Sequence, residues 1–398
     1  MLTSLALIFL TGLLMAALCQ QIRLPRIIGM LATGIVLGPF VLNLLDPLIL
    51  SISADLRKMA LIIILLKAGL SLNLSDLKKV GRPAVMMAFV PASFEILAFV
   101  LFAPAFLPVN RMEAAVMGAV LAAVSPAVVV PRMVQLMESK YGTEKSIPQM
   151  ILAGASCDDI FVIVVFTTFV SMAQGGQARV TDFLNIPVSI LLGILLGAAA
   201  GWLLALFFET AYARKHYVRN SMKVIIVLGT SFLLVAAEEW LEGIISVSGL
   251  LAVTSMACVL KMKSTAFVSK RLSEKFGKLW LAAEVLLFVL VGAAVDIRYT
   301  LEAGLAAGLM IALALVFRSV GVALCMAGTS LNQKERLFCV IAYLPKATVQ
   351  AAIGSVPMSL GLPCGKIVLS VAVLAILITA PLGALGMDGT YRLLLKKE

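Results

Sequence analysis

The sequence predicts an all-α polytopic membrane protein of about 13 transmembrane helices. Three observations carry this. Hydrophobic residues make up 62% of the 398-residue chain and charged residues 13%, with a mean hydropathy of +1.08; a soluble globular protein has about 45–50% apolar and about 25% charged residues. Apolar stretches of about 20 residues, the length of a bilayer-crossing helix, follow one another along almost the whole chain. No alternating pattern is long enough for the strands of an outer-membrane barrel. Lipid-exposed backbone must satisfy its own hydrogen bonds, so helices are the remaining choice.

The spans fall near 2–20, 27–45, 55–73, 83–106, 112–137, 147–173, 183–208, 221–240, 243–260, 277–295, 300–328, 335–359 and 365–387. The first reads as a retained helix. Its positive charges, Arg23 and Arg26, follow the apolar run, whereas a secretory signal carries them in front. Several spans exceed 20 residues, which predicts tilt or breaks. The longest polar stretch, 261–275, is too short for a soluble domain. Residues 1–398 therefore read as one membrane unit.

The net charge is +11, and its placement is topological. With the N-terminus outside and the C-terminus cytoplasmic, most of the 32 basic residues fall on inner loops, as the positive-inside rule requires. These include Arg23 and Arg26; Lys78, Lys79 and Arg82; Arg132, Lys140 and Lys145; Arg214, Lys215, Arg219 and Lys223; and the cluster from Lys261 to Lys278. Glu238, Glu239 and Glu242 fall outside. No basic–aromatic interleaving suggests a nucleic-acid partner. The six cysteines lie in or beside apolar stretches without a CxxC pair, and the single histidine, His216, sits in a basic loop. This pattern predicts packing cysteines, with no zinc site, disulfide framework or cofactor. The lack of long tails suits a bacterial inner membrane.

Two spans carry prolines where a helix should be continuous. The fifth reads AAVSPAVVVPRM, with Pro126 and Pro131, and the twelfth reads IAYLPKATVQAAIGSVP, with Pro345 and Lys346 in mid-span. Proline removes a donor and clashes with the carbonyl one turn back. In a membrane, such breaks persist where protein, a cavity or an ion satisfies the freed groups. Interrupted helices at corresponding positions of two halves point to a transporter binding site. The preceding helices match as well: PASFEILAFV carries Glu95, LALVFRSVGV carries Arg318, and each lies about 30 residues before its proline. The fourth to sixth spans and the eleventh to thirteenth thus read as two related triplets. One starts inside and the other outside, so the repeat is inverted.

Ionisable groups at bilayer depth are expensive and mark function by default. The sixth span, ILAGASCDDIFVIVVFTTF, holds Asp158 and Asp159. Successive helix residues point about 100° apart, so the two carboxylates face different surroundings. Lys346 is read as the partner of one of them, because paired charges can stay ionised and removing one strands the other. Glu95 and Arg318 form a second pair, read as structural because arginine does not release its proton. A packing network without transport is the alternative reading of the two aspartates. Lys67 is read as reaching the interface from the end of its helix, and Glu284 as an internal or supporting group.

The strings SPAVVVP, GASCDDI and LPKATVQAAIG, with GMLATGIVLGP in the second span, resemble the cation:proton antiporter superfamily. Within it they resemble the sodium/lithium–proton antiporter branch with paired aspartates that includes mammalian mitochondrial and plasma-membrane forms. The resemblance covers essentially the whole chain, and the aspartate pair after the broken span is its specific element. It implies inverted repeats, two crossing broken helices and a homodimer. It further implies a moving core, here about 55–173 and 300–387, against a scaffold, about 2–45 and 221–295, joined by a linker helix near 183–208. Residue matching implies that Asp159 binds the ion and that Asp158 pairs with a basic residue. Lys346 and Arg318 both sit at basic positions of the family, and the sequence leaves open which of them contacts Asp158. Many relatives place Thr-Asp at Ser125–Pro126. Here Ser125 and carbonyls around Ala123 to Val128 would supply cation ligands instead.

These residues together predict exchange of Na⁺ or Li⁺ for H⁺, with cation and proton competing for the oxygens of Asp159 and Asp158. The partners implied are the lipid bilayer, monovalent cations and protons. The chain reads as a transporter and not an enzyme: an intramembrane aspartyl protease needs its aspartates facing across a gap, not adjacent on one helix. A sodium-coupled symporter of an organic anion is the alternative on the same architecture, and a channel is a more distant one.

Overall fold

The computed structural model describes residues 1–22, 24–71, 81–174, 180–215, 220–241 and 247–398. Arg23, Lys78, Lys79, His216, Arg219 and Glu242 lie outside the described residues. In chain order the helices are α1 (Leu2–Gln21), α2 (Arg26–Leu37), α3 (Pro47–Ser51), α4 (Ser53–Ser71), α5 (Arg82–Met87), α6 (Val90–Phe106), α7 (Arg111–Leu121), α8 (Pro126–Glu138), α9 (Ile147–Ala173), α10 (Val180–Lys215), α11 (Asn220–Trp240), α12 (Gly249–Lys263), α13 (Ala266–Ala293), α14 (Ile297–Cys325), α15 (Gln333–Ala342), α16 (Thr348–Ile353), α17 (Val356–Ser359) and α18 (Gly365–Leu394). Among the described residues no sheet forms; the one β-type pairing is an isolated bridge between Tyr141 and Lys397.

Among the described residues, nine segments are apolar and long enough to cross a membrane. The other four predicted spans are helices that are short (α2, α12), rich in charge (α4, with Asp55, Arg57, Lys58 and Lys67) or interrupted (α15 to α17). Two predicted boundaries need correction. The span expected over 27–45 ends at Leu37, because Gly38 is extended (ψ 173°) ahead of Pro39, as a residue before proline prefers. The span expected at 277–295 begins at Ala266, so much of the basic stretch 261–275 is helical, not loop.

One group of helices packs α1 on α2, α2 and α4 on α13, and α4 and α10 on α12. The glycines of the second span have a steric purpose here: a Cβ at Gly34 would collide with the Val289 carbonyl of α13. Small residues let membrane helices approach this closely. The second group packs α6 on α14, α6 and α9 on α7, and α18 on α14 and α15. α4 also touches α16 and so borders both groups. α7 and α15, the first halves of the two broken spans, begin alike. Asn110 and Glu113 form a capping box, and so do Asn332 and Glu335. Each box satisfies two orphan N–H groups at a helix start, so the repeat extends to the helix caps.

The ends of the second group are tied together beyond the helices. Arg132 on α8 makes a two-pronged pair with Asp388 on α18, both bonds 2.9 Å. Gly142 N–H donates to the Lys396 carbonyl at 2.8 Å and Glu398 N–H to the Lys140 carbonyl at 2.9 Å. Lys145, just before α9, reaches Glu335 of the α15 box at 2.8 Å.

Candidate ion site at two crossing helix breaks

The first break is the stretch Ala122–Ser125 between α7 and α8. Pro126 is the first residue of α8, where its missing N–H costs nothing. Pro131, expected to belong to the break, lies inside α8 without interrupting it. The second break runs from Tyr343 to Ala347 and contains Pro345 and Lys346. The two breaks touch: Ser125 N–H donates to the Pro345 carbonyl at 2.8 Å. Gly383 of α18 makes room there, since a Cβ would strike the Pro345 ring.

Breaking a helix leaves backbone groups without partners, and buried polar groups must find them. Gln350 on α16 donates to the carbonyls of Ala123 (2.8 Å) and Leu121 (3.4 Å). Its own carbonyl accepts the Ala347 N–H at 2.8 Å. Arg318 on α14 donates to the carbonyls of Ala122 and Tyr343, the second at 2.6 Å. Lys346 N–H donates to Thr379 Oγ1 at 2.9 Å. The carbonyl of Ala123, expected as a cation ligand, is therefore already held by a side chain.

Four charged groups meet around these breaks, each at least 98% removed from solvent. Arg318 Nη1 lies 2.8 Å from Glu95 Oε2, and Arg318 Nη2 lies 3.3 Å from Asp158 Oδ2. Lys346 Nζ lies 2.5 Å from Glu95 Oε2. The expected pairing of Lys346 with an aspartate is thus corrected: the lysine enters from the second break beside α6 and takes Glu95, while Arg318 takes Asp158. Arginine can do this because its planar fork reaches several acceptors at once. Two carboxylates and two cations cancel in this network.

Asp158 Oδ2 also accepts the Val124 N–H at 2.7 Å, which fixes the carboxylate against the first break, next to Ser125. Its other oxygen, Oδ1, is buried with no hydrogen-bond partner among the described residues. So are Asp159 Oδ1 and Ser125 Oγ. Asp159 is 7% exposed and, among the described residues, makes no ion pair. It is the acid that the network leaves uncompensated. Among the described residues no three His, Cys, Asp or Glu side chains cluster as a metal site. A cation here would draw on two carboxylates and on hydroxyl, carbonyl and water oxygens, a donor set that suits Na⁺ and Li⁺ as hard ions.

Lys67 and Glu284 are elsewhere. Glu284 on α13 lies within electrostatic reach of Arg26 and Lys67, a second group of charges between α2, α4 and α13. The cysteines are all free, with Cys157 and Cys258 half-buried and the rest buried. Sequence reasoning missed Gln350, Tyr343 and Thr379. For Tyr343 and Gln350 the available signal was the largely apolar run IAYLPKATVQAAIG, with a lone amide one turn after its lysine; Thr379 lies outside it.

A pair of interrupted spans that cross at a buried charge network, in two repeats, defines a secondary transporter fold. The sequence profile described as sodium/hydrogen exchanger, transmembrane, matches residues 5–387, and the chain belongs to this family of the cation:proton antiporter superfamily. It is 35% identical to mouse sodium/hydrogen exchanger 9B2 over 389 residues, covering 94% of this chain and 69% of that protein. It is 32% identical to human sodium/hydrogen exchanger 9B1 over 406 residues, covering 96% and 75%. Its fold matches the sodium proton antiporter MjNhaP1 of Methanocaldococcus jannaschii with a TM-score of 0.83, 21% identity and 99% and 98% coverage.

Proposed function

We propose that this chain exchanges Na⁺ or Li⁺ for H⁺ across the membrane, with Asp159 as the shared cation and proton site and Asp158 and Ser125 as its neighbours. The observation that carries the reading is the charge balance. Glu95, Asp158, Arg318 and Lys346 compensate one another, and Asp159 stands beside them as an acid that makes no ion pair among the described residues. A buried acid in that position must hold a proton or a metal cation. The two compete for the same oxygens, and this competition produces exchange without a separate coupling device. Arg318 and Lys346 are both engaged by carboxylates, which favours cation exchange over symport of an organic anion.

Movement is assigned to the second helix group together with α4, which borders both groups. A core of about 55–173 and 300–387 carries the site past a dimerising scaffold of about 2–45 and 221–295, with 183–208 as the linker. This is elevator-type alternating access. The polar ties among α8, α9, α15 and α18 suit a core that moves as one body. The N-terminus is placed outside and the C-terminus in the cytoplasm of a plasma membrane, by the distribution of basic loops.

The test uses purified protein in liposomes enclosing a pH-sensitive dye, with pulses of Na⁺, Li⁺ and K⁺. Cation-dependent proton flux in wild type and its loss in Asp159→Asn are expected. Unchanged flux in Asp159→Asn would move the site elsewhere. No flux with any ion would turn the reading toward symport.

A further inference from the structure

We propose that Gln350 is a positioning residue for Asp158, acting through a single peptide unit, and this rests on the exchange reading above. The Ala123 carbonyl and the Val124 N–H belong to one rigid planar peptide. Gln350 Nε2 holds its oxygen end at 2.8 Å, and Asp158 Oδ2 holds its N–H end at 2.7 Å. The two side chains thus hold opposite ends of one plane, so a shift of either acts on the other through it.

The amide orientation follows from its surroundings. Gln350 is fully buried, with one N–H donor (Ala347) on one side and two carbonyls (Ala123 and Leu121) on the other. A flipped amide would set donor against donor and oxygen against oxygen. A neutral side chain with both a donor and an acceptor is therefore required, and no charged residue provides both. Hydrogen bonds in series polarise one another in a low-dielectric interior. Donation by Gln350 to Ala123 thus strengthens the Val124 N–H as a donor to the Asp158 carboxylate.

The other end of the relay is the lysine break. Gln350 Oε1 accepts from Ala347, the residue after Lys346, whose amine holds Glu95. A change in the second break therefore reaches Asp158 by two routes, Arg318 and Gln350. Arg318 acts on the carboxylate directly. Gln350 acts on the backbone that presents a donor to it, which makes it a residue that tunes Asp158 without contributing an ion ligand.

Gln350→Glu separates this role from packing, because a protonated carboxyl keeps a donor for Ala123 and an ionised one has none. In the liposome assay its exchange rate is expected to stay within about twofold of wild type at acid pH. It should then fall at least tenfold relative to wild type as the pH rises, roughly the effect of one buried hydrogen bond left unmade. Gln350→Leu, which has no donor at any pH, should be depressed throughout with an altered pH profile. Infrared titration of the Asp158 carboxyl, identified by the band that Asp158→Asn removes, reads the same relay without transport. Its midpoint should be displaced in Gln350→Leu. A Gln350→Glu rate that tracks wild type across the pH range, together with an unmoved Asp158 midpoint in Gln350→Leu, would overturn the proposal. Absence of exchange in wild type would instead refute the functional reading, and the infrared midpoint would still decide the role of Gln350.

Discussion

Lys346 Nζ and Glu95 Oε2 lie 2.5 Å apart, and both side chains are almost wholly removed from solvent. The same carboxylate oxygen accepts from Arg318 at 2.8 Å. One acid on α6 therefore joins the second helix break to α14, and through Arg318 to Asp158 on α9.

Removing that acid alone should be costly. Glu95→Gln leaves Lys346 and Arg318 facing each other with one carboxylate between them instead of two. Breaking a buried pair from one side costs about 3–5 kcal/mol. We expect a clear fall in the melting temperature of the detergent-solubilised protein. The double variant Glu95→Gln/Lys346→Gln should recover much of it. A double variant no more stable than Glu95→Gln would break the charge-balance argument.

Arg318→Lys tests geometry at constant charge. The guanidinium serves Glu95, Asp158 and the carbonyls of Ala122 and Tyr343 together. An ammonium has three donors and no planar fork. At least one of these four acceptors loses its donor, at about 1–3 kcal/mol. Exchange should fall by more than tenfold, and the protein should unfold at lower temperature. Near-normal exchange would show that charge at position 318 suffices.

Ser125→Ala should weaken cation binding while leaving the fold in place. Ser125 Oγ is buried with no partner among the described residues, and it makes no capping hydrogen bond to α8, so no contact of the hydroxyl supports the fold. Loss of one oxygen ligand is expected to raise the apparent KM for Na⁺ about fivefold, the scale of about 1 kcal/mol. Maximal rate and melting temperature should stay close to wild type. An unchanged KM for both Na⁺ and Li⁺ removes Ser125 from the site.

Gly383→Ala should disturb the second break from outside the charge network. The added Cβ would collide with the Pro345 ring, and overpacking of this kind costs about 1–3 kcal/mol. The expected outcome is a lower melting temperature, with lost exchange wherever Pro345 shifts away from the Ser125 N–H. A variant as stable and active as wild type would show that the break can yield.

Much of this was legible from residue types and spacing. Apolar runs fix helices in a membrane, because no other local structure satisfies the backbone there. Pro126 and Pro345 located the two breaks for the same reason. Asp158, Asp159, Glu95, Arg318 and Lys346 stood out because charge at bilayer depth is expensive. Pro131 misled: it lies inside α8, where it removes one internal hydrogen bond without ending the helix.

By itself the sequence determined the class of fold, the repeat, and the set of groups that had to be compensated. Which group compensates which was decided only by the tertiary structure. Lys346 could pair with either aspartate as far as spacing goes. It takes Glu95 because the crossing of the breaks brings it beside α6, while Arg318 spans the distance to Asp158. Gln350 carries no charge and breaks no pattern, so its role exists only where the second break delivers it to the carbonyls of the first. Helix formation is local and written in composition. Pairing across 160 to 251 residues depends on how the helices cross.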